Sequence, residues 1–108
     1  MNTIRNNVQL LGHVGQEPEI SILEDGKKMA KFSMATNETY TNAQGEKVEK
    51  TYWHRIVFWN RQAEIVEQHV NKGTRLIIHG KLTSHSWEDE AGVRHYKTEI
   101  AGHGLHLL

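Results

Sequence analysis

Short alternating segments separated by turn signals recur along most of this chain and constrain its fold more than any other feature. Residues 8–15 (VQLLGHVG), 51–59 (TYWHRIVFW) and 74–87 (TRLIIHGKLTSHSW) are rich in β-branched and aromatic residues, which favour strands. Asp25 and Gly26 form a pair that favours a tight turn between two strands. The chain is therefore predicted to consist mainly of strands joined by turns.

The segment that follows this turn pair alternates between two kinds of side chain. One face carries Ala30, Phe32 and Met34, and the other carries Lys31 and Ser33. Because successive side chains of a strand point to opposite faces, this segment is predicted to bury one face in a core.

The connections between the later strands also have recognisable signals. The polar residues 41–50 are predicted to form a loop, and residues 88–92 (EDEAG) an acidic turn before a last strand over 93–102. Gly80 lies inside an otherwise regular strand pattern, which predicts a bulge or a bend there.

One segment, residues 61–70 (RQAEIVEQHV), has helical instead of alternating periodicity. Asn60 is its predicted N-cap and Gly73 its predicted stop. Its apolar residues at helical spacing are Ala63, Val66 and Val70. The resulting order predicts an all-β fold, a five-stranded antiparallel OB-fold Greek-key barrel with one short helix between strands 3 and 4. Another small barrel or a sandwich has the same pattern.

The composition narrows the class of protein further. The chain has 108 residues, so residues 1–108 are predicted to form a single domain with a modest core. It contains no cysteine, which excludes disulfides and thiolate chemistry. No apolar run approaches the roughly 18 residues of a membrane-spanning helix, and the amino terminus lacks a signal-peptide core. A cytoplasmic protein with no membrane association is expected.

The net charge bears on nucleic-acid binding. Lys plus Arg and Asp plus Glu both number 13, so the formal net charge is zero. Domains that bind duplex nucleic acid through bulk charge are usually strongly basic. Binding to single strands is compatible with this charge, because both stacking on aromatic rings and contacts to the backbone contribute to the affinity.

The segment TYWHRIVFWN (51–60) divides into two faces of different chemistry. The even positions are Tyr52, His54, Ile56 and Phe58, and the odd positions are Trp53, Arg55, Val57 and Trp59. The even face makes the better core, because burying a guanidinium between two indoles is costly without an anionic partner. In the simpler interpretation both tryptophans are core residues and Arg55 extends to solvent.

Two further aromatic residues favour an exposed binding surface. Trp87 lies in the polar stretch TSHSWEDE and Tyr40 in NETYTN, which are poor surroundings for core residues. The predicted stacking residues are Tyr40, Trp53, Trp59 and Trp87. The predicted contacts to the nucleic-acid backbone are Arg55, Arg61, Lys72 and Arg75, although each cation alone is typical of an ordinary solvated face.

The sequence resembles the bacterial single-stranded DNA-binding protein family (SSB) along essentially its whole length. The segments that carry the resemblance are NNVQLLGHVGQEPE, FSMATNETY, YWHRIVFWNRQAEIV, NKGTRLIIHGKL and SWEDEAGVRHYKTEI. The resemblance implies an OB-fold that assembles, usually as a homotetramer, and wraps single-stranded DNA without sequence preference. It also implies a role in DNA replication, recombination and repair, in a nucleoid-associated bacterial protein without a cofactor.

The resemblance assigns roles to several of the same residues. It places the stacking positions on Trp53, Trp59 and Trp87, with Tyr40 where many members have tryptophan, and backbone contacts on Arg55, Arg61 and Lys72. It places an oligomer interface on His54 and on the first strand. The interface positions expected there are Asn6, Val8, Leu10 and Gly12.

The chain also departs from the family pattern. Residues 83–86 (TSHS) stand where the family usually has basic residues, which weakens the expected contacts to phosphates. The sequence stops at Leu108 without the long tail and acidic tip of many members. Recruitment of other proteins through such a tip is therefore not expected.

Three alternatives remain open at the level of sequence. One is a dimeric primosomal replication-restart protein, also a short OB-fold, and another is an OB-fold oligomer whose aromatics serve only subunit contacts. An enzyme is the third, because eight histidines invite a metal hypothesis. However, His103 and His106 point to opposite faces of a strand, and no cysteine or carboxylate cluster completes a site. No catalytic residue and no metal ligand is predicted.

Overall fold

The computed structural model describes residues 6–108. The described strands and helix are β1 (Val8–Val14), β2 (Glu19–Ile22), β3 (Lys28–Thr41), β4 (Lys47–Trp59), α1 (Arg61–His69), β5 (Arg75–Glu88) and β6 (Arg94–Leu107). No helix in this part of the chain is long and apolar enough to cross a membrane.

Five of the strands close into a barrel. The hydrogen-bonded order is β1-β5-β6-β4-β3, and β3 pairs back onto β1 at His13 and Val14. The short strand β2 pairs with the outer edge of β3. This closed, mainly antiparallel barrel with one helix confirms the predicted OB-fold.

Two details of the predicted topology are wrong. The helix lies between β4 and β5 instead of the third and fourth strands, because the first arm of the Asp25-Gly26 hairpin forms a strand of its own, β2. The pairing of β4 with β6 is parallel, through Ile56 with Ile100 and Val57 with Ala101. Barrel closure brings these two strands together although they are distant in sequence.

The hairpin formed by β3 and β4 is longer than predicted. Only residues 42–46 form a loop, since β4 already begins at Lys47 within the predicted loop 41–50. Residues 36–41 of β3 and 47–52 of β4 pair with each other and extend beyond the barrel. Polar side chains on both faces are compatible with this ladder because neither face is covered, and Glu38 opposite Lys50 adds a favourable cross-strand pair. We call residues 36–52 the β3–β4 arm.

The turns follow the predicted glycine signals with some differences in length. Five residues separate β2 from β3, instead of the predicted two-residue turn, and Gly26 adopts a φ of 85° within them. The predicted bulge at Gly80 is confirmed by a register shift between His79 and Gly80. A side chain at Gly80 would clash with the Ala101 carbonyl group, so the bulge brings two backbones into close contact.

The predicted helix is present, and its apolar residues belong to the core. Ala63 and Val66 are fully buried, and Val70 just beyond the helix is almost fully buried. The predicted cap is wrong in detail, because the Asn60 side chain caps no N–H group and the residue adopts a φ of 55°. The helix ends at His69, where Val70 becomes extended, before the predicted stop at Gly73.

The core is built from the inward positions of the barrel strands. Ala30, Phe32 and Met34 are buried, as the alternation in β3 predicts. The rings of Phe32 and Phe58 stack with centroids 6.1 Å apart. Other core residues are Val14, Ile56, Leu76, Ile78 and Ile100, together with the helix residues.

Candidate nucleic-acid interface

The outer face of β4 carries the aromatic residues that the alternation predicts to be exposed. Trp53 is 60% exposed and Trp59 is 39% exposed, with the exposed Arg55 between them. On the inner face Ile56 and Phe58 are fully buried. One strand therefore contributes to the core with one face and leaves two indoles accessible on the other.

Two residues of β4 depart from this alternation. Tyr52 was predicted to face the interior but is 40% exposed, because it lies on the β3–β4 arm where no core covers it. Val57 is on the outer face and is nevertheless 5% exposed. It pairs with Lys31 of β3 and with Ala101 of β6, so neighbouring strands flank it on both sides.

Trp59 and Trp87 line one groove on the outer surface of the barrel. Val57 and Ala101 line it, together with other residues of β3, β4, β5 and β6. The remaining lining residues are Met29, Lys31, Thr83, His85, Lys97 and Glu99. We call this the Trp59–Trp87 groove. It places two indoles and two lysines on one surface.

A second cleft adjoins this groove. Trp53 and Arg55 line it, together with Ser33 and residues of β5 and β6, and Glu99 is common to both. The Trp53 indole packs directly against Gly15, where a built Cβ atom would lie 2.3 Å from the ring. Only glycine at position 15 leaves room for the ring in this position.

Glu99 is the acidic residue where these clefts meet. Its side chain is only 12% exposed, and its carboxylate lies 3.1 Å from Lys97 Nζ and 3.4 Å from His85 Nε2. Lys97 is therefore partly neutralised within the protein. The net charge of this surface therefore depends on the ion pairs that Glu99 forms with Lys97 and His85.

One face of the Trp87 indole is covered by the side chain of His95. The His95 ring stacks on the Trp87 indole with centroids 5.5 Å apart, and His95 Nε2 lies 2.7 Å from Asp89 Oδ2. The hydrogen bond with His95, followed by those from backbone N–H groups of the turn, lowers the pKa of Asp89 below its usual value. This arrangement orients Trp87 and covers one face of its indole.

Four predicted contact residues lie away from these two clefts. Tyr40 is on the β3–β4 arm opposite Val48 and is 49% exposed. Arg61 is exposed at the start of α1, and Lys72 is exposed in the following turn, where its backbone N–H donates to Glu17. Arg75 lies on the outer face of β5, opposite His13 of β1.

The predicted interface positions on β1 point mainly into the protein. Val8 and Leu10 pack against the core, and Gly12 approaches the Ala35 carbonyl group so closely that a Cβ atom would clash. The Asn6 side chain donates to and accepts from the backbone of Leu82. What β1 exposes is instead its backbone edge and its outer face, including Leu11, which is 51% exposed.

His54 lies where β4 leaves the barrel. Its Nε2 is 2.9 Å from Thr36 Oγ1, and the residue is half-buried. Burial lowers the pKa of His54 below its usual value. The side chain is therefore neutral near pH 7 and joined to β3 by a hydrogen bond.

Several groove residues were not among the sequence predictions. The sequence places Lys31 only on the polar face of its strand and predicts no role for Lys97 and Glu99. It also predicts no contact of Gly15 with Trp53, next to the groove. The alternation of β6 places Lys97 and Glu99 on one face, but no local pattern indicates that β6 pairs with β4. A glycine at the end of a strand is likewise typical of turns, so Gly15 carried no signal of contact with Trp53.

The fold and the exposed surface together define a class of protein. Proteins of the OB-fold class that bind single-stranded nucleic acids combine a barrel surface that carries aromatic platforms with cations nearby. Trp53, Trp59 and Trp87 with Arg55 and the groove lysines form such a surface.

Comparison with known proteins gives the family. The family model described as the single-strand binding protein family matches residues 5–108. Single-stranded DNA-binding protein 1 of Xylella fastidiosa is 38% identical over 104 residues, which span 95% of this chain and 76% of that protein. The chain belongs to the single-strand binding protein family.

Solved structures agree in fold. A structure described as a Plasmodium falciparum SSB complex with ssDNA matches with a TM-score of 0.87 and 35% identity, covering 100% of this chain and 99% of that one. A deletion mutant of the single-stranded DNA binding protein from Thermus aquaticus matches with a TM-score of 0.85 and 22% identity, covering 95% of this chain and 50% of that one. The second likeness concerns the fold alone.

Proposed function

We propose that this protein binds single-stranded DNA without sequence preference and protects it during replication, recombination and repair. The observation that carries the proposal is the shared surface of Trp53, Trp59 and Trp87, which are 60%, 39% and 47% exposed on a barrel of the single-strand binding family. The related Plasmodium falciparum structure is described as a complex with ssDNA. The protein acts by binding alone, without a catalytic step or a cofactor.

Base stacking supplies the sequence-independent part of the affinity. Each base stacked on an aromatic ring contributes roughly 1–3 kcal/mol, and every base has a flat face for it. The two rings of the Trp59–Trp87 groove and the Trp53 ring of the adjoining cleft supply separate stacking positions. This mechanism needs no hydrogen bonds to base edges, which are the contacts that distinguish one base from another.

Cations near the rings contact the phosphates. Arg55 lies between Trp53 and Trp59 in sequence on the same face, and Lys31 lines the Trp59–Trp87 groove. The chain has no net charge, so these local cations must supply the attraction that a basic protein spreads over its surface. The outlying residues Tyr40, Arg61, Lys72 and Arg75 are proposed to contact a longer strand that wraps beyond the clefts.

We also propose that the protein assembles as a homotetramer, through β1 in the first instance. β1 pairs with β5 along Val8–His13 but with β3 only at His13 and Val14. Among the described residues, no strand covers the other edge of Val8–Gly12. A free strand edge favours pairing with a second copy, and the exposed Leu11 and the half-buried His54 are proposed to lie near this contact.

The proposal is tested by titrating the purified protein with oligo(dT) while recording tryptophan fluorescence and light scattering. Stacking on the indoles should strongly quench the fluorescence, and the scattering mass should give a tetramer and the number of strands bound per tetramer. Absence of quenching at low salt would refute binding by stacking. A dimeric mass would refute the tetramer and favour the assembly expected of a primosomal protein.

A further inference from the structure

His85 lies in the Trp59–Trp87 groove and has no direct role in the fold. Its side chain is 60% exposed, and it stands two residues before Trp87 on the same face of β5. In the ladder between β5 and β6, His85 is opposite Lys97. A ligand stacked on Trp87 therefore passes next to the imidazole.

The charged groups that face His85 come from two strands. Lys97 and Glu99 face it from β6, and Lys31 lines the same groove from β3, whereas the lining residues of β4 are the uncharged Val57 and Trp59. The Glu99 carboxylate lies 3.4 Å from His85 Nε2 and 3.1 Å from Lys97 Nζ, so the imidazole and the ammonium group share one carboxylate. A protonated His85 thus adds a positive charge beside an acid that another cation already neutralises.

We infer that this protein takes up a proton at His85 when it binds single-stranded DNA, so that His85 is a pH-dependent contact to the phosphate backbone. The inference rests on the proposed function. A phosphate in the groove favours the imidazolium form, because an opposite charge nearby stabilises the charged state. A neutral imidazole offers the phosphate at most one hydrogen bond and no charge.

The direction in which DNA affinity changes with pH follows from the higher proton affinity of His85 in the DNA-bound state. Binding raises the affinity of His85 for a proton, so DNA affinity rises as the pH falls toward the pKa of the free protein and levels off below it. Histidine is the side chain whose charge usually changes between about pH 5 and pH 8, so affinities measured at about pH 6 and about pH 8 sample this rise. Oligo(dT) is the suitable ligand, because neither thymine nor a phosphodiester titrates in that range.

The other histidines near the clefts are in different situations. The Asp89 carboxylate lies 2.7 Å from His95 Nε2, whereas His85 is 3.4 Å from Glu99 and shares that carboxylate with Lys97. The protonated form of His95 therefore gains less from an added phosphate. His54 lines the adjoining cleft, but it is half-buried and hydrogen-bonded to Thr36, and burial lowers its pKa. His85 is the histidine of this surface that combines high exposure with a place in the Trp59–Trp87 groove.

The experiment measures oligo(dT) affinity at about pH 6 and about pH 8 for the wild type, His85→Gln, His85→Arg and His69→Gln. His69 is exposed at the end of α1, away from the groove, and serves as the matched control. Calorimetry in two buffers with different ionisation enthalpies gives the number of protons taken up. Salt titrations at both pH values give the number of phosphates neutralised.

We expect the Kd of the wild type to fall by about three- to tenfold from pH 8 to pH 6, with uptake of up to about one proton per bound site. Its salt slope should become steeper by about 0.7 at the lower pH. His85→Gln should reduce the pH dependence of the affinity and the proton uptake below the wild-type values. His85→Arg should bind as tightly at pH 8 as the wild type does at pH 6.

A His85→Gln variant with the same pH dependence and proton uptake as the wild type would overturn the inference. An equal reduction of the pH dependence and the proton uptake in His69→Gln would overturn it as well, because the effect would then not be specific to His85. Either result, together with normal quenching by oligo(dT), would leave the proposed function intact. Loss of quenching by the wild type at both pH values would instead refute the proposed function itself.

Discussion

The two halves of β4 both pair with β3 but have very different surroundings. Ile56 and Val57 pair with both β3 and β6 in the barrel wall, and the side chains of residues 56–58 are buried. Residues 47–52 pair with β3 alone on the β3–β4 arm, and only Val48 is even half-buried there. Alternation of side chains is a property of any strand, but burial requires a second layer, and β4 has one along only half of its length.

The largest expected difference between the two halves is in folding stability. Phe58→Ala removes a fully buried ring that stacks on Phe32 and should lower the free energy of unfolding by about 3–5 kcal/mol. Tyr52→Ala on the arm is the matched control and should lower it by less than about 1 kcal/mol. Urea denaturation at one fixed protein concentration measures both. Equal losses would mean that the arm is packed as tightly as the barrel.

The next difference concerns binding. Trp53→Ala at the base of the arm should weaken DNA binding by roughly 1–3 kcal/mol and by a similar amount for oligo(dT) and oligo(dC), because stacking does not read the base. Stability and assembly should change little, since the ring is 60% exposed. Fluorescence titration and light scattering provide the two readouts. A loss confined to one base would contradict sequence-independent stacking.

A smaller loss of DNA affinity is expected from substitution of Gly15, which packs against the Trp53 indole. Gly15→Ala would place a methyl group 2.3 Å from the indole, so the ring must move and binding should weaken, although less than in Trp53→Ala. In the Trp53→Ala background the same substitution should have no further effect on affinity. An additive effect of the two substitutions would show that Gly15 acts independently of the ring.

The contribution of positive charge to DNA binding can be tested by substitution of Arg55. Arg55→Ala should reduce the salt slope of binding by about 0.7, since one fewer phosphate is neutralised on a single strand. Lys27→Ala is the control, because Lys27 lies in the β2–β3 turn 3.8 Å from Asp25. Titrations at several salt concentrations measure the slope. An unchanged slope for Arg55→Ala would exclude it as a phosphate contact.

The smallest effect is expected at the boundary between the two halves, where His54 lies. Burial lowers its pKa in the folded state below the usual 6.5, so the unfolded chain binds more protons near that pH. His54 should therefore reduce stability as the pH falls from 6.5 toward its folded pKa. The thermal midpoint should drop more steeply with acidification for the wild type than for His54→Gln. Parallel curves would show that His54 is not a source of this dependence.

Much of the barrel could be predicted because its signals are local. The inward set Ala30, Phe32 and Met34 follows from alternation, and the helix follows from the spacing of its apolar residues. The bulge at Gly80 follows from a glycine within a strand. In each case neighbouring residues carry the whole signal, and the structure confirms the prediction.

The features that sequence reasoning missed depend on strands that are distant in the chain. Tyr52 was assigned to the interior because alternation continues past the end of the barrel, and no local feature marks where the barrel ends. Val57 is buried because β6 pairs with β4 in parallel, which no pattern in either strand indicates. Glu99 of β6 lines the Trp59–Trp87 groove for the same reason.

The sequence by itself determined that this chain forms short strands and one helix, and that Trp53, Arg55 and Trp59 share one face of a strand. These properties depend on residue type and on the two-residue period of a strand. The tertiary structure decided which other residues join that face, because closure of the barrel places Lys31, His85 and Trp87 around it. Contacts between distant strands are set by the whole core, and no single segment contains them.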